Sequence, residues 1–249
     1  MVFLTFNRLV AMSESEICVR ENGSRWLVHP DYLGEATGAW FDPSYWGSQA
    51  CLVSSGGRGS AWFITTEAHK MVLRQYRRGG LMSRMSENTY AFAGEPSVRS
   101  FSEFRLLNRL VSLGLPVPRP VAAFYTKTSL LTYRAVIIVE KLERTTPLAS
   151  KISDLDERAW QTLGGVIRKF HNAGLRHADL NCFNVLVREE EFFLIDFDKG
   201  RFMPSGGPDG WKATNLNRFA RSLRKVAGNA EQSRVWEFFM LGYNRSQSA

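Results

Sequence analysis

The sequence predicts an α+β fold in two lobes: a β-rich N-terminal lobe and a reduced, mainly helical C-terminal lobe. Three observations carry this reading. Short β-like runs dominate residues 25–76 and return at 121–125 and 133–139. Helical periodicity of apolar residues marks 101–113, 156–173, 215–226 and 231–243. Between the second and third helices, residues 177–198 hold two short apolar runs with oxygen-bearing side chains at their ends.

Bulk properties set the bounds. A chain of 249 residues suits one large domain or two small lobes. At 44% hydrophobic and 22% charged it buries a core and is not globally disordered. The net charge is +8, and from Lys199 onward nine Lys/Arg face three Asp/Glu. A second basic cluster is Arg74, Arg77, Arg78 and Arg84. This balance favours an anionic partner: a nucleotide, a nucleic acid or an acidic membrane surface. The three cysteines, Cys18, Cys51 and Cys182, are widely spaced and give neither a metal-ligand pairing nor a disulfide framework. A reducing compartment fits them. No run approaches the roughly 18 apolar residues of a spanning helix. Residues 1–11 are apolar but lack the charged leader of a secretory signal. Met12 opens a polar stretch and is an alternative start, which would make 1–11 an upstream extension.

In chain order, Arg25–His29 reads as a short strand. Asp42 before Pro43 has the pattern of an N-cap followed by a first-turn proline. Leu52–Val53 and Ala61–Ile64 read as strands enclosing a glycine loop that contains Gly57 and Gly59. Glycines let backbone amides approach phosphate oxygens. Because a strand follows the loop, with no Gly-Lys-Ser/Thr, the Walker and Rossmann readings fail. Lys70–Tyr76 is the next strand, and 77–98 reads as a mobile or substrate-facing insert. Phe101, Phe104, Leu107 and Leu110 or Val111 share one face of a helix, and Glu103 lies near its start. The Gly114–Pro120 stretch stops that helix. Two strands follow, and then Glu140-Lys141-Leu142-Glu143 as a connector. The helix 156–173 buries Trp160, Leu163, Ile167 and Phe170, and Gly174 ends it. Phe202–Lys212 reads as loop. Asn215–Val226 is amphipathic, with Leu216, Phe219, Leu223 and Val226 apolar and Arg218, Arg221, Arg224 and Lys225 basic. A final helix covers 231–243.

The chemistry concentrates in 177–198. Runs 185–187 and 192–195 read as hairpin strands with Glu189-Glu190-Glu191 at the turn. Pairing them places Asn184 and Asp196 side by side, with Asp179 one loop away. An amide oxygen and a carboxylate suit Mg²⁺, which takes a few protein oxygens and completes its shell with phosphates and water. The remaining carboxylate, Asp179, can accept a hydroxyl proton. The competing reading is a capped turn in which these side chains serve backbone amides. His177 and His171 read as scaffold. The spacing His177-x-Asp179-Leu180-x-x-x-Asn184, followed by Asp196 in an apolar run, resembles the kinase catalytic loop and its metal-binding Asp.

That resemblance orders the small lobe. Arg74 stands where kinases carry the strand lysine that grips the nucleotide phosphates, with Lys70 as the alternative cation. Glu103 is expected to pair with Arg74. Gly57 and Gly59 would cover the phosphates. Backbone groups of Glu140 and Leu142, in a hinge at about 140–143, would meet the adenine. The lobes then run at about 13–140 and 144–249.

More specifically, the chain resembles the 3-deoxy-D-manno-octulosonic acid (Kdo) kinase family of lipopolysaccharide assembly. The segments that carry this are Gly56–Phe63, Val72–Gly80, Asp179–Asn184 and Leu194–Asp198. The resemblance implies transfer of the ATP γ-phosphate to the 4-hydroxyl of Kdo on the lipid A core, with Mg²⁺, at the cytoplasmic face of the bacterial inner membrane. It implies an anionic membrane surface nearby and no nucleic-acid partner. Arg77, Arg78 or Arg84 would bind the carboxylate of Kdo. Three departures from protein kinases stand out. Asp198 replaces the Gly after Asp-Phe, which argues against a regulatory flip. Asn181 stands where Ser/Thr kinases have a lysine near the γ-phosphate, so another cation or metal must neutralise charge there. Only 53 residues follow Asp196, without an Ala-Pro-Glu anchor, which points to a small or lipid-linked acceptor. The rivals are a kinase acting on heptose, an antibiotic or a protein, and a non-catalytic basic binding module on a kinase scaffold.

Overall fold

A computed structural model describes residues 2–5, 8–12, 16–21, 23–53, 61–76, 89–204, 206 and 209–245. Gly57, Gly59, Arg77, Arg78 and Arg84 lie outside the described residues. The chain divides into two units, one of Met1–Arg109 with Pro118–Lys141, the other of Leu110–Val117 with Leu142–Ala249.

The first unit is built on one sheet. Its strands are β1 (Val2–Thr5), β2 (Arg8–Met12), β3 (Ile17–Glu21), β4 (Ser24–Val28), β5 (Ala50–Leu52), β6 (Ala61–Thr65), β7 (Lys70–Gln75), β8 (Tyr90–Ala91), β9 (Pro120–Lys127) and β10 (Thr132–Glu140). The order is β1-β2-β3-β4-β9-β10-β7-β6-β5, with β8 added on β10. The sheet starts at Val2, before the lobe boundary expected at about residue 13. Strands β5 and β6 pair antiparallel, Leu52 opposite Trp62. The turn after Asp42 is capped as the sequence suggests, the Asp42 carboxylate accepting from the Ser44 N–H at 2.9 Å.

One face of the sheet buries Trp26, Ile64, Met71, Leu73, Val121 and Ile138 together with Trp40, Phe41 and Trp46 from the 3-10 turns between β4 and β5. Helix α1 (Arg99–Ser112) buries Phe101, Phe104, Leu107 and Leu110, the i, i+3, i+6, i+9 set that its periodicity marks.

The second unit is helical with short strand pairs. Helix α2 (Glu157–Asn172) is capped by Asp156, whose carboxylate accepts from the Ala159 N–H at 2.8 Å. Its buried stripe is Trp160, Leu163, Ile167 and Phe170. Helix α3 (Gly210–Arg245) is broken at Gly228, whose φ of 84° and ψ of 173° separate the two helices that the sequence marks. Of its first half, Asn215, Phe219 and Leu223 are buried while Val226 is exposed, so the buried stripe begins with a polar residue. The short strands are β11 (Thr146–Pro147), β12 (Leu175–Arg176), β13 (Val185–Arg188), β14 (Glu191–Leu194) and β15 (Arg201–Phe202).

Candidate active site

The hairpin β13–β14 sets the geometry. Val185 lies opposite Leu194 and Val187 opposite Phe192, and all four are buried, so one face of the period-2 pattern fixes the register. Glu189 turns the chain with a φ of 54°. Glu191, expected in the turn, instead ends up on β14 opposite Arg188, with which it forms a 2.8 Å ion pair. On the N-terminal side of β13 the ladder continues one step, the Ile195 N–H donating to the Asn184 carbonyl at 3.0 Å. Asp196 is thus the residue immediately after the one paired with Asn184. It adopts a φ of 63°, a left-handed backbone uncommon for a non-glycine residue.

Asp179 is knotted to the same place through its backbone. Its carbonyl accepts from the Asn184 side-chain nitrogen at 2.9 Å and from that of Asn181 at 3.0 Å. With its nitrogen committed to that carbonyl, the Asn184 amide has its oxygen left as an acceptor. His177 is the rivet. Its Nε2 meets the Ile195 carbonyl at 3.0 Å, and its Nδ1 accepts from the Asp179 N–H at 3.1 Å. The ring is 2% exposed, and this burial holds its pKa below the ordinary value, so it is a neutral scaffold. Phe197 packs between His177 and Phe170, at centroid distances of 4.9 and 6.2 Å, and anchors the segment that carries Asp196.

The Asp179 carboxylate has a partner that sequence reading assigned elsewhere. Arg218 Nη1 donates to its Oδ1 at 2.6 Å. The sequence places Arg218 on the basic face of an amphipathic helix; in the structure it reaches the loop. Asn215, not singled out before, clamps the backbone of His177, accepting from its N–H at 3.1 Å and donating to its carbonyl at 2.6 Å. The signal was present as polar residues at 215, 218 and 222 interleaved with apolar 219 and 223. Cys182 is fully buried, and its thiol is pushed up to about 11 mainly by that burial, so it is packing and not a nucleophile.

In the first unit, Arg74 on β7 and Glu103 on α1 meet at 2.6 Å. Glu103 is 4% exposed, and the Tyr76 hydroxyl also donates to it. Such a carboxylate is kept in the core only by its partners. At the end of β10, the Glu140 N–H donates to the Arg119 carbonyl at 2.9 Å, and its carboxylate accepts from Tyr32 at 2.8 Å. The Leu142 carbonyl accepts from Thr145 at 2.8 Å. These bonds use the Glu140 N–H and the Leu142 carbonyl. Among the described residues no helix is long and apolar enough to cross a membrane.

Comparison with known proteins places this arrangement. The chain is 42% identical over 202 residues, 80% of each chain, to a 3-deoxy-D-manno-octulosonic acid kinase of Xylella fastidiosa (strain 9a5c). It is 44% identical over 205 residues, 81% of each, to the enzyme of that name from Stenotrophomonas maltophilia (strain R551-3). Among solved structures, WaaP in complex with acyl carrier protein superposes with a TM-score of 0.55 at 15% identity, covering 82% of this chain and 80% of that one. An aminoglycoside-3'-phosphotransferase of type VIII gives 0.54 at 15% identity, covering 81% and 88%. At that identity the two structures speak for a kinase-like fold alone. The model of the lipopolysaccharide kinase (Kdo/WaaP) family matches residues 43–243, and the chain belongs to that family.

Proposed function

We propose that this protein transfers the γ-phosphate of ATP to the 4-hydroxyl of a Kdo residue on the lipid A core, in lipopolysaccharide core biosynthesis. The observation that carries the reading is the knot of Asp179, Asn184 and the Ile195–Asp196 backbone, on a chain 42–44% identical to Kdo kinases.

Asp179 is the base. The acceptor oxygen forms a bond to the γ-phosphorus while its proton passes to the Asp179 carboxylate. The bond from that phosphorus to the β–γ bridging oxygen breaks, and its electron pair leaves with ADP. The protein supplies position and electrostatics, which dominate phosphoryl transfer. Arg74, set by Glu103, grips the nucleotide phosphates, and Gly57 and Gly59 cover them. The Glu140 carbonyl and Leu142 N–H meet the adenine.

The donor set fits magnesium: the amide oxygen of Asn184 and the carboxylate of Asp196 are hard ligands, few enough to leave room for phosphate oxygens. Bound there, the ion would neutralise charge on the β- and γ-phosphates. Arg77, Arg78 or Arg84 is the proposed partner of the Kdo carboxylate. The exposed Arg221, Arg224 and Lys225 of α3 are the proposed contact with anionic lipid, consistent with peripheral attachment to the cytoplasmic face of the inner membrane.

The test is mass spectrometry of Kdo–lipid A after incubation with ATP and Mg²⁺, with a heptose-containing core and an aminoglycoside as rival acceptors. The expected result is one phosphate added to Kdo, dependent on ATP. Phosphate appearing on another acceptor instead would overturn the assignment.

A further inference from the structure

Helix α3 is fastened to the loop at three points along one stripe. Asn215 holds the backbone of His177, Arg218 holds the side chain of Asp179, and the Ser222 hydroxyl accepts from the Cys182 N–H at 3.1 Å. These positions are spaced i, i+3, i+7 and therefore share a helix face. Phe219 and Leu223 beside them are fully buried, so the stripe sits on a fixed support.

The Asn181 side chain is spent. The Asn181 amide oxygen accepts from the N–H groups of Phe183 and Asn184, at 2.8 and 3.2 Å, and its nitrogen donates to the Asp179 carbonyl at 3.0 Å. This is the position where the resemblance to Ser/Thr kinases calls for a lysine. Here it is neutral and serves only the backbone. Phosphoryl transfer nonetheless needs positive charge beside the moving group. Arg218 is a cation already within 2.6 Å of the base. Its guanidinium carries five N–H donors in a planar fork, and the contact with Oδ1 uses Nη1. The Arg218 and Asp179 side chains are 46% and 53% exposed, so the pair faces solvent, where a substrate can reach it.

We propose that Arg218 supplies the positive charge of the transfer step, holding the Asp179 carboxylate by one nitrogen and presenting its other N–H groups to the phosphoryl group as it moves. This rests on the phosphotransferase reading above. Arg218 gives up no proton and no electron pair; the bonds made and broken are those between the acceptor oxygen, the γ-phosphorus and the leaving ADP.

The experiment compares the full-length protein with Arg218→Ala and Arg218→Lys in steady-state kinetics with ATP and Kdo–lipid A, with and without added guanidinium. Exposed ion pairs contribute little to stability, so the thermal midpoint of both variants should match wild type. The alanine variant should lose about 10²–10³ in kcat, the cost of removing one preorganised donor, with the KM for ATP nearly unchanged. Lysine should restore part of the loss. Guanidinium should raise the turnover of Arg218→Ala but not that of wild type, which a purely structural role would not produce. Wild-type kcat in Arg218→Ala, or a loss that neither lysine nor guanidinium repairs, would overturn the proposal. Absence of transfer by the wild-type protein is a separate result, which removes the underlying reading and this inference with it.

Discussion

Two residues bear the heaviest chemical load. Asp179 has its backbone pinned by Asn181 and Asn184 and its carboxylate by Arg218, so replacing it changes chemistry more than structure. Asp179→Asn should leave ATP affinity near that of wild type while turnover falls by about 10²–10⁴, the usual contribution of a positioned base. Isothermal calorimetry and steady-state kinetics separate the two effects, and undiminished turnover would take the base role from Asp179. Arg74 makes the opposite case, because the proposed phosphate cation also belongs to a buried ion pair. Its partner Glu103 is 4% exposed while Arg74 itself is 25% exposed. Removing one half of a buried pair strands the other charge, but partial exposure discounts the penalty. Arg74→Ala should cost about 2 kcal/mol in denaturant unfolding and weaken ATP binding. If ATP affinity stays put, Lys70, at the start of the same strand, becomes the phosphate cation.

Among the elements, α2 and α3 approach each other more closely than ordinary side chains permit. A Cβ on Gly164 would lie 2.0 Å from the Phe239 carbonyl oxygen, and one on Gly242 would lie 1.8 Å from that of Gln161. Both obstacles are backbone, which cannot swing aside. Alanine favours a helix over glycine by about 1 kcal/mol, but the forced separation costs more, typically about 1–3 kcal/mol or above. Gly164→Ala should therefore lower the thermal midpoint despite its better helix propensity; an unchanged or raised midpoint would mean that the helices can part freely.

For the whole molecule, the pH dependence of stability follows from histidines buried without charge. His171 is 2% exposed and hydrogen-bonded to the Tyr243 hydroxyl at 2.7 Å. Desolvation lowers its pKa from the ordinary 6.5 to about 4, with Lys212 and Arg168 adding to the effect. His177 is shifted in the same direction, also first by burial. Below the unfolded value the unfolded chain takes up a proton that the folded chain refuses. The stabilisation is complete above about pH 6.5 and is lost as pH falls toward 4, by about 3 kcal/mol for His171. Denaturant midpoints should fall between pH 7 and pH 5. In His171→Gln the curve should be lower at pH 7 but flatter; an equally steep curve would assign the dependence to other groups.

What the sequence by itself determined was everything set by local pattern. Phe101 to Leu110 and Trp160 to Phe170 declared their helices and buried faces, because a 3.6-residue period survives whatever the helix packs against. The alternation in 185–194 set the hairpin, and with it the pairing of Asn184 with Ile195, one residue before Asp196. The spacing from His177 to Asn184 pointed to phosphoryl transfer, because that chemistry depends on oxygen ligands at fixed offsets along one loop. The tertiary structure decided what depends on segments distant in the chain. Arg218 lies 39 residues from Asp179, and no periodicity tells a solvated arginine from one that turns to a carboxylate. The need for glycine at 164 and 242 comes from two backbones that meet across them. The reason is the same in both cases: local pattern records which face of an element is buried, while the identity of what it is buried against exists only once the chain has folded.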